Sequence, residues 1–247
     1  MVKLFVVRSL FILGSILIVA GPGVWFWLGQ GIEILTFTNP NASQTPPKPT
    51  PLAQYSFSKL KNRTYVKSEI ALERKIAGEE TYTSYVFSFT SDGKKVTGQM
   101  NLPHGKGPFP VVVMLRGYAD KEIYFTGLGT RKAAGVFAEN GFITLAPDFL
   151  GFGGSSEGSS DILEVRFEKP ITVLNLLESI STIPQADTDN VFLWGHSNGG
   201  QIAAFVLEIS GKVIPTVLWA PVTRSFPESI LDYIGELDDQ GKMVQAS

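Results

Sequence analysis

Residues 191–209 read VFLWGHSNGGQIAAFVLEI, and the fold turns on how this stretch divides. VFLW (191–194) is a short run of β-branched, aromatic and aliphatic residues, the signature of a buried strand. From Gln201 to Ile209 the apolar residues recur with helical spacing, and Gly211 supplies a stop. Between them lies Gly195-His196-Ser197-Asn198-Gly199, a G-x-S-x-G pattern. Alone the pattern is weak, because glycine and serine are abundant here. Directly after a strand and at the opening of a helix, it becomes the sharp turn that holds a serine strained and exposed. Side chains at 195 and 199 would collide with neighbouring backbone in so tight a turn. The helix N-terminus favours negative charge developing beside Ser197. Ser197 is therefore the expected nucleophile, against the plainer reading of an idle serine in a glycine-rich turn.

Working outward, the same alternation continues. PVVVML (110–115) is a continuous apolar run of the kind found in a strand buried on both faces. A helix is expected over 130–140, a strand over 142–146, a helix over 170–183 with apolar residues at 171, 174, 177 and 180, and a strand over 213–219. Upstream, residues 82–89 and 96–102 flank Ser91-Asp92-Gly93-Lys94 and read as an antiparallel hairpin. The expected fold class is α/β: a mostly parallel sheet covered by helices on both faces, with an N-terminal antiparallel hairpin.

Three segments together carry a resemblance: GHSNGG around Ser197, the turn Leu115-Arg116-Gly117-Tyr118 after the first long parallel strand, and DFLGFGGSSEG (148–158) after the next. From about Glu73 to Tyr233 the chain resembles the α/β-hydrolase fold. It looks closest to bacterial prolyl-oligopeptidase-like and acylaminoacyl-peptidase-like serine hydrolases. The resemblance implies an oxyanion hole formed by the backbone amides of Tyr118 and Asn198. Arg116 stands where such proteins often have histidine. By the same resemblance, the loop carrying Asp148, Gly151, Gly153 and Glu157 borders the site mouth and packs under the nucleophile turn. Asp148 is more readily structural than catalytic, since the family places its acid in a later loop. The activity implied is acyl transfer on a small ester or peptide, with no metal and no organic cofactor.

Serine attack needs a base, normally a histidine held by a carboxylate, and in this fold the order is Ser, then Asp or Glu, then His. The chain has two histidines. His196 lies within the turn and is expected to pack, and His104 precedes PVVVML, at the end of that strand opposite to where sites in parallel sheets lie. Asp232, Asp238 and Asp239 fall in a polar tail. The expectation is a truncated copy that lacks the last strands with the triad acid and base, and that has negligible turnover alone. The alternative is a catalytically inactive, membrane-anchored binding module of the same fold.

Composition narrows the setting. The chain's 247 residues are 44% hydrophobic, and the net charge of -2 leaves no electrostatic pull toward nucleic acid. With no cysteine, disulfides and thiolate chemistry are excluded. Residues 9–28, SLFILGSILIVAGPGVWFWL, are uncharged and long enough to cross roughly 30 Å of hydrocarbon. Lys3 and Arg8 precede them and Glu33 follows, so the N-terminus is expected in the cytoplasm and the domain outside, whether 1–30 acts as an anchor or a cleaved signal. Prolines at 40, 46, 47, 49 and 51 make 39–56 a semi-rigid spacer before a partial hydrolase domain over 57–247.

Overall fold

In the computed structural model, which describes residues 52–223, the apolar run at 110–115 sits inside a seven-stranded sheet. The strands are β1 (Ala71–Gly78), β2 (Tyr82–Ser91), β3 (Lys94–Pro103), β4 (Phe109–Leu115), β5 (Ile143–Pro147), β6 (Ala186–His196) and β7 (Thr216–Trp219). The order across the sheet is β1-β2-β3-β5-β4-β6-β7. β1 to β3 and β3 with β5 pair antiparallel; β5 with β4, β4 with β6, and β6 with β7 pair parallel. The sheet is thus mixed rather than mostly parallel, and the expected hairpin is the inner part of a three-strand meander. β1 escaped sequence reading because its first five residues are all exposed and leave no alternating pattern.

β4 shows why a continuous apolar run was required. Val111, Val113 and Leu115 join one core, while Val112 and Met114 join the other. All five are essentially inaccessible. Each such side chain contributes roughly 1.5–3 kcal/mol through burial. α1 (Phe57–Lys61) is a short helix ahead of the sheet. α2 (Arg131–Glu139) places Ala134 in the core with Val112, Met114 and Trp194. α3 (Ile162–Ser179) and α4 (Asn198–Ser210) supply Ile171, Leu174, Ile202 and Val206 to the core on the other face.

α3 begins eight residues before the expected start at Pro170. The Asp161 carboxylate caps it, accepting from the amides of Leu163 (2.8 Å) and Glu164 (3.2 Å). Its polar residues serve an upstream strap: the amides of Val66, Ser68 and Ile70 donate to Asn175, Ser179 and the following Thr182. Residues 52–56, the end of the expected spacer, dock on the same helix, with Tyr55 stacked on Phe167 at 5.0 Å. Among the described residues no helix is long and apolar enough to cross a membrane. Segment 9–28, the prolines up to Pro51 and Asp232, Asp238 and Asp239 lie outside the described residues.

Candidate active site

β6 ends at His196 and α4 opens at Asn198, so Ser197 is the one residue in which the chain reverses. Its backbone is at φ 52 and ψ -119, a conformation that costs a residue with a Cβ on the order of 1–3 kcal/mol. Tertiary contacts hold it there. The Ser197 amide donates to the Trp219 carbonyl at the end of β7 (3.0 Å), and its carbonyl accepts from Gly200 (2.9 Å) and Val222 (3.1 Å).

The two flanking glycines are explained by approach distance. A Cβ on Gly195 would stand 2.6 Å from the Gly199 carbonyl oxygen, and one on Gly199 would lie inside the Leu115 carbonyl at the end of β4. The start of α4 therefore crosses β4 backbone to backbone. A Cβ at Gly117 would meet Ser197 Cβ at 3.1 Å, so the Arg116-Gly117-Tyr118 turn lies directly against the serine. Sequence reasoning nominated Ser197, Gly195, Gly199, Tyr118 and Asn198, and the fold gathers all five at the C-terminal ends of β4 and β6. The first amides of α4, Asn198 included, have no carbonyl one turn earlier in the helix to accept them.

Arg116 is the feature that sequence reading undervalued. It is buried, at 6% exposure. Its Nη1 donates to the Gly117 carbonyl (2.9 Å) and its Nη2 to the Asp148 carbonyl (3.1 Å). The guanidinium lies 4.3 Å from the Phe152 ring centre and 4.6 Å from that of Tyr124, an arrangement a lysine does not reproduce. A trans peptide points its carbonyl and the following N–H in opposite directions. By holding the Gly117 carbonyl, Arg116 sets the direction of the Tyr118 amide.

Asp148 is fully buried. It accepts from Thr97 Oγ1 (2.6 Å), the Tyr124 hydroxyl (2.6 Å) and Thr126 Oγ1 (2.9 Å). Burial, then the charge of Asp148 and the hydrogen bond to it, push the Tyr124 phenol far above its ordinary value. Asp148 is a structural hub joining β3, the loop after β4 and the loop after β5. Asp148→Ala leaves three hydroxyls without their acceptor and is expected to cost about 3 kcal/mol or more, read as a lowered urea midpoint. The 148–158 loop is tied to β3, with Ser155 and Ser156 receiving the Thr97 and Lys95 amides. It reaches the candidate site through Leu150 and Phe152, which line a cleft with Asn198. Glu157 is at the surface, paired with Lys121 at 3.2 Å.

His196 packs against Trp219, ring centres 4.7 Å apart and planes tilted by 35°, in keeping with the packing role expected of it. His104 is exposed and bonds Thr83 Oγ1 at 3.0 Å. It precedes β4, whereas Ser197 lies past the C-terminal ends of the parallel strands, about 20 Å away along seven strand residues. Among the described residues no cluster of three or more histidine or acidic side chains is grouped as for a metal ion.

The cleft beside Asn198, of ≈ 170 Å³, is also lined by Arg116, Tyr118, Glu168 and Lys169. Lys169 is half-buried. Burial, with the nearby guanidiniums of Arg116 and Arg166, brings its ammonium down to about 8. Neither lysine nor cleft was signalled by the sequence, where Lys169 falls just before the helix expected over 170–183.

The strand order, the helices on both faces and the strand–turn–helix around Ser197 define an α/β-hydrolase-like fold. No family model matches the chain. Two curated relatives are similar in sequence. The esterase FrsA of Enterobacter sp. (strain 638) is 29% identical over 153 residues, 58% of this chain and 35% of the relative. The esterase EstD of Thermotoga maritima is 25% identical over 219 residues, 76% of this chain and 49% of the relative. The matches thus span between a third and a half of those relatives' lengths. Among solved structures, acetyl xylan esterase 1 from Thermoanaerobacterium sp. JW/SL YS485 superposes with a TM-score of 0.54 at 18% identity, over 74% of this chain and 68% of that one. An acetyl xylan esterase from Paenibacillus sp. R4 gives the same score and identity over 74% and 62%. At these identities the structural likeness speaks to the fold.

Proposed function

We propose that this chain carries the nucleophile and oxyanion hole of a serine esterase. The observation that carries the reading is Ser197 at φ 52 in a strand–turn–helix whose flanking glycines admit no side chain. Ser197 Oγ attacks an ester carbonyl, and the amides of Tyr118 and Asn198 receive the charge on its oxygen. The C–O bond to the alcohol breaks, the alcohol leaves with the proton, and water then releases the acid from the acyl-enzyme. Esters are favoured over peptides because both curated relatives bear esterase names, and the prolyl-oligopeptidase likeness of the sequence motifs is given less weight. The uncharged segment 9–28 supports an extracytoplasmic site on a membrane-associated protein.

The deciding experiment is labelling of the full chain with a fluorophosphonate probe and mapping of the modified residue. Modification at Ser197 is expected. A folded protein that is not labelled there would remove the proposal and leave a binding module of hydrolase fold. Arg116 acts in this scheme as a positioning residue. Arg116→Lys is expected to lower the first-order inactivation rate constant about tenfold, less than the roughly 100-fold or more for loss of an oxyanion donor itself. The probe concentration giving half-maximal rate should stay unchanged, which separates misaligned chemistry from impaired binding.

A further inference from the structure

The cleft beside Asn198 has a charge arrangement that the ester reading does not use. Its one lining carboxylate, Glu168, is committed elsewhere: it pairs with Lys94 at 2.8 Å and accepts the Ser159 amide through both oxygens, at 3.2 and 3.0 Å. Arg116 gives Nη1 and Nη2 to two backbone carbonyls, its buried Nε has no hydrogen-bond partner among the described residues, and the Asp148 carboxylate faces Thr97, Tyr124 and Thr126. Arg166, three residues before Lys169 on α3, reaches across to Gln201 on α4 at 3.2 Å. Lys169 forms no ion pair with any carboxylate among the described residues. It is a half-buried cation beside two guanidiniums, in the wall of a cleft shared with both candidate oxyanion residues.

Holding a half-buried ammonium among like charges is unfavourable unless an anion completes it. We propose that this cleft is a subsite for a carboxylate carried by the ester substrate, with Lys169 as the charge that receives it. The inference rests on the serine-esterase reading and narrows it to half-esters of short dicarboxylic acids and similarly anionic esters. The lowered ammonium value fits this occupant, because an arriving carboxylate favours the protonated form.

The test compares two fluorophosphonate probes of equal length on the full chain, one ending in a methyl group and one in a carboxylate. The carboxylate probe is expected to label Ser197 about tenfold faster, the worth of one charge-assisted hydrogen bond. Lys169→Gln should bring the ratio of the two rates to about one, and Lys169→Arg should keep it. Loss of a half-buried charge that forms no ion pair among the described residues does not threaten the fold, so the Gln variant is a fair probe. A ratio near one in the parent protein, or a preference that survives Lys169→Gln, overturns the subsite. Loss of labelling by both probes in Lys169→Arg would instead assign the lysine to proton transfer, since arginine accepts no proton, and would also overturn it. If neither probe labels Ser197, the esterase reading falls separately. Glutarate titration followed by NMR then decides the subsite: binding weakened about tenfold by Lys169→Gln supports it, and no binding overturns it.

Discussion

Ser197→Ala is expected to abolish fluorophosphonate labelling and, in a protein that carries the triad acid and base, to lower ester hydrolysis by at least about 10⁴-fold, with little change in stability. Removal of the nucleophile in a serine protease costs about a million-fold, while oxyanion binding alone retains some thousand-fold over water. The small stability effect follows because alanine keeps the Cβ that makes φ 52 costly. Ser197→Gly separates the two properties. It removes the same oxygen and also relieves the backbone, so it is expected to be inactive yet more stable than the parent by about 1 kcal/mol, read from urea unfolding. A serine idle in a tight turn would give the stability gain with no loss of hydrolysis, which would contradict the proposed chemistry.

Gly199→Ala is expected to cost about 4 kcal/mol or more and to leave little folded protein. The new methyl group would lie inside the Leu115 carbonyl and 2.7 Å from the Arg116 carbonyl oxygen, and both obstacles are backbone, at the end of β4 and in the turn that follows it. No side chain is available to swing aside, so α4 would have to lift from β4 and take the core residues Ile202 and Val206 with it. Gly211, at φ 61 with nothing within 4 Å of an added Cβ, is the contrast. There alanine meets only the backbone preference, and a loss of about 1 kcal/mol is expected. Equal losses at the two positions would refute the close-approach account.

Much of this fold was legible because the signals are local. Alternate residues of β4 enter opposite cores, which is why PVVVML had to be apolar throughout. The turn at 195–199 announced itself through two glycines and a serine between a strand and a helix. The early start of α3 was obscured by Pro170, which reads as a first-turn residue until the Asp161 cap is seen upstream. β1 was invisible because an exposed edge strand needs no apolar face. The partners of Arg116 and Lys169 were beyond sequence reading for a different reason. Nothing within several residues of either says which ring, carbonyl or cleft it meets.

By itself the sequence determined the alternation of strands and helices from residue 110 onward, the position of the candidate nucleophile and the glycines that admit it. Backbone preference and hydrophobic period act within a few residues, so a linear reading captures them. The tertiary structure alone decided that Asp148 is a buried hub, that Arg116 orients the turn beside Ser197, and that Lys169 faces the same cleft as Asn198. Those are matters of burial and charge between residues tens of positions apart, and only the order in which strands assemble brings such groups together.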